Sequence, residues 1–364
     1  MKSRMNRSLG LFILLSLIAT LAGAQSNFTV FASGLDSPRG LKFGPDGNLY
    51  LAEGGVGGTA STVGQCVQVV PPIGPYTGGF TARISKFNQL GVRTTVVDGL
   101  PSSATSPGAG GFVSGVGDVE FIGGQLYAVL AGAGCSHGLA NTTNGVIRVK
   151  GDGQWSLVAD LSAFQKAHPV ANPEPADFEP DGTWYSMTAI GGLLFAMEPN
   201  HGELDLITPF GFVHRVSDIS ASEGHIVPTS VAFHNGYFYF GNLDHFPIVP
   251  GSSKVYRLNP FTGRIAVFAS GFTTIQGITF DDRGRLYVLE SMTAAGFPGP
   301  DQLGTGTVVR VRHHGSVETV ATGLSFPTAM TFGPDNKLYV SNFGFATPGG
   351  AGQIVRIDVP KAEY

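Results

Sequence analysis

Two sets of oxygen-bearing side chains stand at matched places along this 364-residue chain and could act together. The first is Asp118 and Glu120, with Lys42 at the place of Glu120 one repeat earlier. Residues two apart on a β-strand share a face, so the two carboxylates stand on one wall. Such a pair can serve as general base or ligand. It can also be held by an internal Lys42–Glu120 ion pair, since buried charge normally finds a partner. The second set is Glu53, Glu198, Asn242, Glu290 and Asn342, each at the end of a β-segment. Converging on an axis, these oxygens would suit a hard cation such as calcium or a polar substrate. Alternatively, such side chains at strand ends bond backbone groups of the next turn.

What would bring them together is a repeat. Pro38-Arg39-Gly40-Leu41-Lys42-Phe43 with Asn48-Leu49-Tyr50 is echoed by Gly117–Phe121 with Leu126-Tyr127 and, blurred, by Tyr185–Thr188 with Leu194-Phe195. Sharper copies are Pro228–Phe233 with Tyr237–Tyr239, Gln276–Phe280 with Leu286-Tyr287, and Pro327–Phe332 with Leu338-Tyr339. Turn residues such as Asp46-Gly47 and Asn235-Gly236 separate the halves and accept the positive φ of hairpins. A second strand pair follows each copy. Six units of four strands predict an all-β, six-bladed β-propeller.

The last unit has only three strands before the chain ends. Phe28–Leu35 (FTVFASGL) resembles Val267–Phe272 (VFASGF), a fourth strand from inside the chain. An unpaired edge invites aggregation, so the N-terminal strand is expected to complete blade six and close the ring. Small or polar residues of the innermost strands, namely Gly40, Asp118, Ser186, Ser230, Gly277 and Ala329, then line a channel. Their apolar neighbours Leu41, Val119, Met187, Val231, Ile278 and Met330 pack between blades.

The loops divide unequally between the two ends of such a ring. The 1–2 and 3–4 turns are short, with His313-His314 in one of them. The connections on the opposite face are long: residues 54–81, 131–145, 162–183, 243–253, 291–306 and 343–352. Long loops carry function disproportionately, so a small molecule or partner protein is expected on that face or in the channel.

Residues 1–24 read as a signal peptide: Lys2, Arg4 and Arg7, an apolar run Leu9–Leu21, then Ala22-Gly23-Ala24. The run is short for a bilayer span. A secreted or periplasmic protein is expected, with residues 25–364 as one domain and a monomer. Charged residues are 13% of the chain and net charge is −4, so nothing points to nucleic acid. Cys66 and Cys135 follow the second strands of neighbouring blades, and an oxidising compartment favours a disulfide between them. No Gly-x-Ser-x-Gly, His-Glu-x-x-His or phosphate-binding glycine loop occurs.

Several segments together carry a resemblance: Leu51–Gly55, Thr81–Ile84, Val96–Ser102, Val227–Ser230, Phe246–Tyr256 and Gly271–Ile275. Together they resemble the ScyD/ScyE family, within the broader NHL, strictosidine-synthase and gluconolactonase-like propellers. The resemblance implies an exported six-bladed propeller and settles no activity. The leading reading is a binding or scaffold protein. The alternative is a metal-dependent, calcium-type hydrolase or lactonase, with Glu53, Glu198, Asn242, Glu290 or Asn342 as ligands and Asp118 as base or further ligand.

Overall fold

A computed structural model describes residues 27–312 and 316–359. The expected signal peptide and the His313-His314 turn lie outside the described residues. The chain forms six antiparallel sheets in a ring, each with its first strand innermost. Blade 1 comprises Pro38–Phe43, Leu49–Glu53, Thr77–Phe87 and Arg93–Ala104; blade 2 comprises Val116–Ile122, Gln125–Leu130, Gly145–Val149 and Trp155–Asp160. Blades 3, 4 and 5 begin at Ser186–Ile190, Pro228–His234 and Ile275–Phe280. Blade 6 takes Ala329–Phe332, Leu338–Asn342 and Gly352–Ile357 from the C-terminus.

Its fourth strand is the N-terminal Phe28–Leu35, antiparallel to Gly352–Ile357 with Val30 opposite Val355 and Ala32 opposite Ile354. The closure continues inward. Thr328 Oγ1 donates to Pro38 O at 2.7 Å and Ser341 Oγ to Arg39 O at 2.6 Å, tying blade 6 to blade 1.

Blade 1 departs from the plain repeat. Its outer hairpin is longer than the expected Ala82–Phe87 and Arg93–Asp98, and a two-residue strand, Val113–Ser114, adds a fifth member. The extension projects on the long-loop face, where Cys66 and Cys135 form a disulfide. Linking residues 69 positions apart restricts the unfolded chain. The 162–183 connection is partly helical over Leu161–Ala167, whose N-cap Asp160 accepts from Ala163 N.

Apolar residues of the inner strands, Leu41, Val119, Met187, Val231, Ile278 and Met330, are buried between blades as the alternation requires. Each seam has its own hydrophobic cluster, and aromatic pairs such as Tyr50–Phe121 and Tyr287–Phe332 meet edge-on across them. Among the described residues, no helix is long and apolar enough to cross a membrane.

Candidate functional site

The inner strands enclose a cavity of about 230 Å³ on the axis. Gly40, Asp118, Ser186, Ser230, Gly277 and Ala329 line it, with Lys42, Glu120, Thr188, Ala232, Thr279 and Thr331 one step further along the strands. Strand alternation turns these small and polar residues to the axis while their apolar neighbours enter the seams.

Lys42 Nζ lies 2.7 Å from Glu120 Oε2, so the expected ion pair forms. Asp118 is turned the other way. Its Oδ1 accepts from Val119 N and its Oδ2 from Met187 N of the next blade, both at 2.8 Å. Gly40 makes this possible, since a Cβ there would overlap the Asp118 carboxylate. Removal from bulk water pushes the Asp118 carboxyl up to about 7 and the Glu120 charge adds to the rise, while the two amides and Lys42 oppose it. A carboxyl poised there exchanges protons near neutrality.

A hoop of hydrogen bonds stitches the inner strands together. Asp118 reaches blade 3, Ser186 Oγ donates to Thr229 O of blade 4, and Thr229 Oγ1 donates to Ile275 O of blade 5. Two polar atoms of the wall lie outside the hoop. Ser230 Oγ and Gln276 Oε1 are buried and have no hydrogen-bond partner among the described residues. Leaving such groups dry costs about 1–3 kcal/mol each. Both residues line the polar cavity, with these two oxygens tucked behind its surface, so water or a ligand reaching them would complete their hydrogen bonding.

One end of the channel is shut. Tyr185 immediately precedes the first strand of blade 3, and its hydroxyl donates to the O of Thr328, just before the first strand of blade 6, at 2.6 Å. Blades 3 and 6 face each other across a six-membered ring, so this side chain crosses the axis. Arg39 lies beside it, its guanidinium carbon 5.9 Å from the ring centre, and donates to Val113 O. Above, the long loops pack on one another through Ile248, Met292, Phe326 and Phe345, with Phe112 against them. Burial follows the same gradient: Thr328 is 0% exposed at the long-loop end, whereas the Lys42 side chain is 43% exposed at the other. The channel is thus entered from the short-turn face. Sequence reasoning missed Tyr185, Arg39 and Gln276. The signal was present, because Tyr185 and Arg39 are the bulky members of a column otherwise filled by Gly117, Thr229, Gln276 and Thr328.

The strand-end column does not converge on the axis as a ligand ring. Glu53 accepts from Asp36 N and Ser85 Oγ and pairs with Arg93. Glu198 accepts from Thr183 N and His201 N, and Asn242 accepts from Lys254 N while donating to Ile226 O. Glu290 accepts from Thr273 N and Thr307 Oγ1, and Asn342 from Ser325 N. All five are buried. Each ties the entry of its blade to the end of strand two, the backbone-bonding alternative. Among the described residues, no group of three His, Cys, Asp or Glu side chains is placed to hold a metal ion. The residues as arranged do not fit calcium.

A second concentration of charge lies under the long loops. His137 Nδ1 is 2.8 Å from Ser103 Oγ, and its Nε2 is 3.6 Å from Glu179 Oε2. Glu179 also accepts from Tyr76 and Thr183, while Asp181 accepts from Ser136 N and Oγ and pairs with Lys166. Burial pushes Glu179 well above the usual carboxylate range and lowers His137 to about 4. Ser103 and His137 are 0% exposed, so this serine–histidine–glutamate series offers no surface to a substrate.

No family model and no curated protein matches the sequence. Solved structures do match in fold. A gluconolactonase from Xanthomonas campestris aligns over 93% of this chain and 90% of its own, at TM-score 0.53 and 11% identity. A putative oxidoreductase (glucose dehydrogenase) from Thermus thermophilus aligns over 92% and 100%, at 0.55 and 18%. The calcium-binding protein regucalcin from Agrobacterium tumefaciens aligns over 91% and 95%, at 0.52 and 14%. The class is therefore the six-bladed β-propeller, with gluconolactonase- and regucalcin-like structural neighbours.

Proposed function

We propose that this is an exported, monomeric binding protein of the ScyD/ScyE type that holds a small polar molecule in its central channel, entered from the short-turn face. The observation that carries the reading is the pair of buried, unpartnered oxygens, Ser230 Oγ and Gln276 Oε1, in the cavity wall. With Asp118 and Glu120 they make the wall rich in hydrogen-bond acceptors. A small molecule bearing several hydroxyl or ammonium donors is the matching chemistry. The leader-like N-terminus supports export.

The metal-dependent lactonase alternative draws on the gluconolactonase and regucalcin neighbours, and on the near-neutral Asp118 carboxyl as a potential base. Against it stands the commitment of Glu53, Glu198, Asn242, Glu290 and Asn342 to internal hydrogen bonds. The test is calorimetric titration of the mature protein with small polyols and amino-polyols, beside calcium. A polyol is expected to bind, and Gln276→Leu to weaken it by about tenfold, the worth of one buried hydrogen bond. Calcium is expected to leave the melting temperature unchanged. A calcium-dependent rise in melting temperature, lost in Glu198→Gln, would restore the lactonase reading.

A further inference from the structure

We propose a second ligand site, separate from the channel, for a planar aromatic acid at the seam where blade 6 meets blade 1. A cavity of about 400 Å³ opens there on the short-turn face. Four of its walls are aromatic: Phe31 of the N-terminal strand, Tyr339 of blade 6, and Phe43 and Phe87 of blade 1. Phe31 and Phe43 both meet the Tyr339 ring edge-on, at centroid distances of 5.2 and 5.0 Å. The size falls within the range of small-molecule sites, and aromatic lining is their usual composition. Offset and edge-on contacts with such rings favour a flat aromatic guest.

The seam between blades 4 and 5 shows what the cavity would otherwise contain. The same aromatic set recurs there, with Phe268 and Phe280 both 5.0 Å from Tyr239. His234 then stacks on Phe280 at 4.3 Å, nearly parallel. At the 6–1 seam the place of His234 is taken by Gly333, following Phe332 as His234 follows Phe233. A Cβ at Gly333 would lie 2.6 Å from both Asp335 Oδ1 and Tyr339 and 3.1 Å from Phe43, so the backbone here lies too close to its neighbours to carry a side chain without a shift. The ring that packs one seam is missing at the other, and a guest ring can take its place.

Charge sets the rest of the ligand. Arg356 stands in the wall beside the Tyr339 hydroxyl. Its guanidinium carries five N–H donors in a fork that matches a carboxylate. Asp335 lines the same wall, its two oxygens taken up by Tyr339 Oη at 3.0 Å and Lys337 N at 3.2 Å, so the acid group of a guest must sit on the Arg356 side. An aromatic ring bearing a carboxylate one or two bonds away satisfies both halves of the site. The site exists only because the N-terminal strand brings Phe31 to blade 6.

The probes are indole-3-acetate and neutral indole, titrated by calorimetry into the mature protein. Indole-3-acetate is expected to bind more tightly than indole. Arg356→Gln should weaken the acid at least about tenfold, the worth of a charge-assisted hydrogen bond, and leave indole unchanged. Gly333→His, copying blade 4, should abolish both, and Asp118→Asn in the channel should affect neither. Melting curves of each variant establish folding, and Arg356→Gln decides the matter if Gly333→His does not fold. Absence of binding at millimolar probe overturns the proposal, as does binding of the acid that Arg356→Gln leaves intact.

Discussion

Two regions concentrate ionisable side chains, and they do opposite things with them. Beneath the long loops, Glu179, Asp181 and His137 find their partners inside the protein, and Trp184 at 0% exposure donates to Asp205 Oδ2 at 3.1 Å. In the channel, fewer groups are present, yet Ser230 and Gln276 line a cavity and their side-chain oxygens Oγ and Oε1 have no partners among the described residues. The loop cluster has unpartnered oxygens too, Gln165 Oε1 and Asp205 Oδ1. Neither residue lines the channel cavity, however, and burial raises the Asp205 carboxyl, favouring a protonated group that can itself donate. The difference teaches that charge density does not mark a site. Unsatisfied polarity bordering a void does, because only there can a ligand lower the free energy.

The comparison breaks most visibly at Trp184. Trp184→Ala should cost about 3–5 kcal/mol in urea unfolding, since a large buried ring leaves a cavity and an abandoned Asp205. A loss below about 1 kcal/mol would show that the loop cluster is not anchored as described.

The pH dependence sharpens the contrast, because the two regions titrate in opposite senses. His137 is lowered by burial from 6.5 to about 4, so it contributes stability present above pH 6.5 that is lost as pH falls toward 4. Asp118 is raised from 3.8 to about 7, so its contribution is full below 3.8 and is lost as pH rises toward 7. In unfolding measured from about pH 4 to 7, Asp118→Asn should therefore make stability rise more steeply with pH than in the parent. His137→Gln should make it rise less steeply. Parallel curves for all three proteins would contradict both assignments.

The smallest effect is expected at Ser230. Its hydroxyl makes no bond to the described residues. Ser230→Ala should therefore leave unfolding free energy unchanged or raise it by up to about 1 kcal/mol. A clear destabilisation would mean that the hydroxyl has a structural partner and is not reserved for a guest.

The architecture was legible because the repeat carries its own period. The alternation in Gly40-Leu41-Lys42 and its copies assigned channel and seam faces, and FTVFASGL announced ring closure by matching an internal fourth strand. Cys66 and Cys135 could be paired because the repeat made their blades neighbours. The strand-end column was also found, but its partners were invisible. Glu198 binds Thr183 N and His201 N, and whether a carboxylate meets an amide or an ion depends on loop paths that no period encodes. The axial crossing of Tyr185 was hidden for a related reason, since its acceptor Thr328 is 143 residues away.

By itself, then, the order of residues determined the number of blades, the inward and outward faces of their strands, and the use of the first strand to finish the last blade. These follow from local alternation and turn chemistry repeated along the chain. Only the assembled ring decided which end of the channel is open, which oxygens lack partners, and that among the described residues the 6–1 seam has no ring stacked on Phe43 as His234 stacks on Phe280. Those properties belong to side chains meeting across blades, and they have no counterpart until distant strands are brought within van der Waals reach.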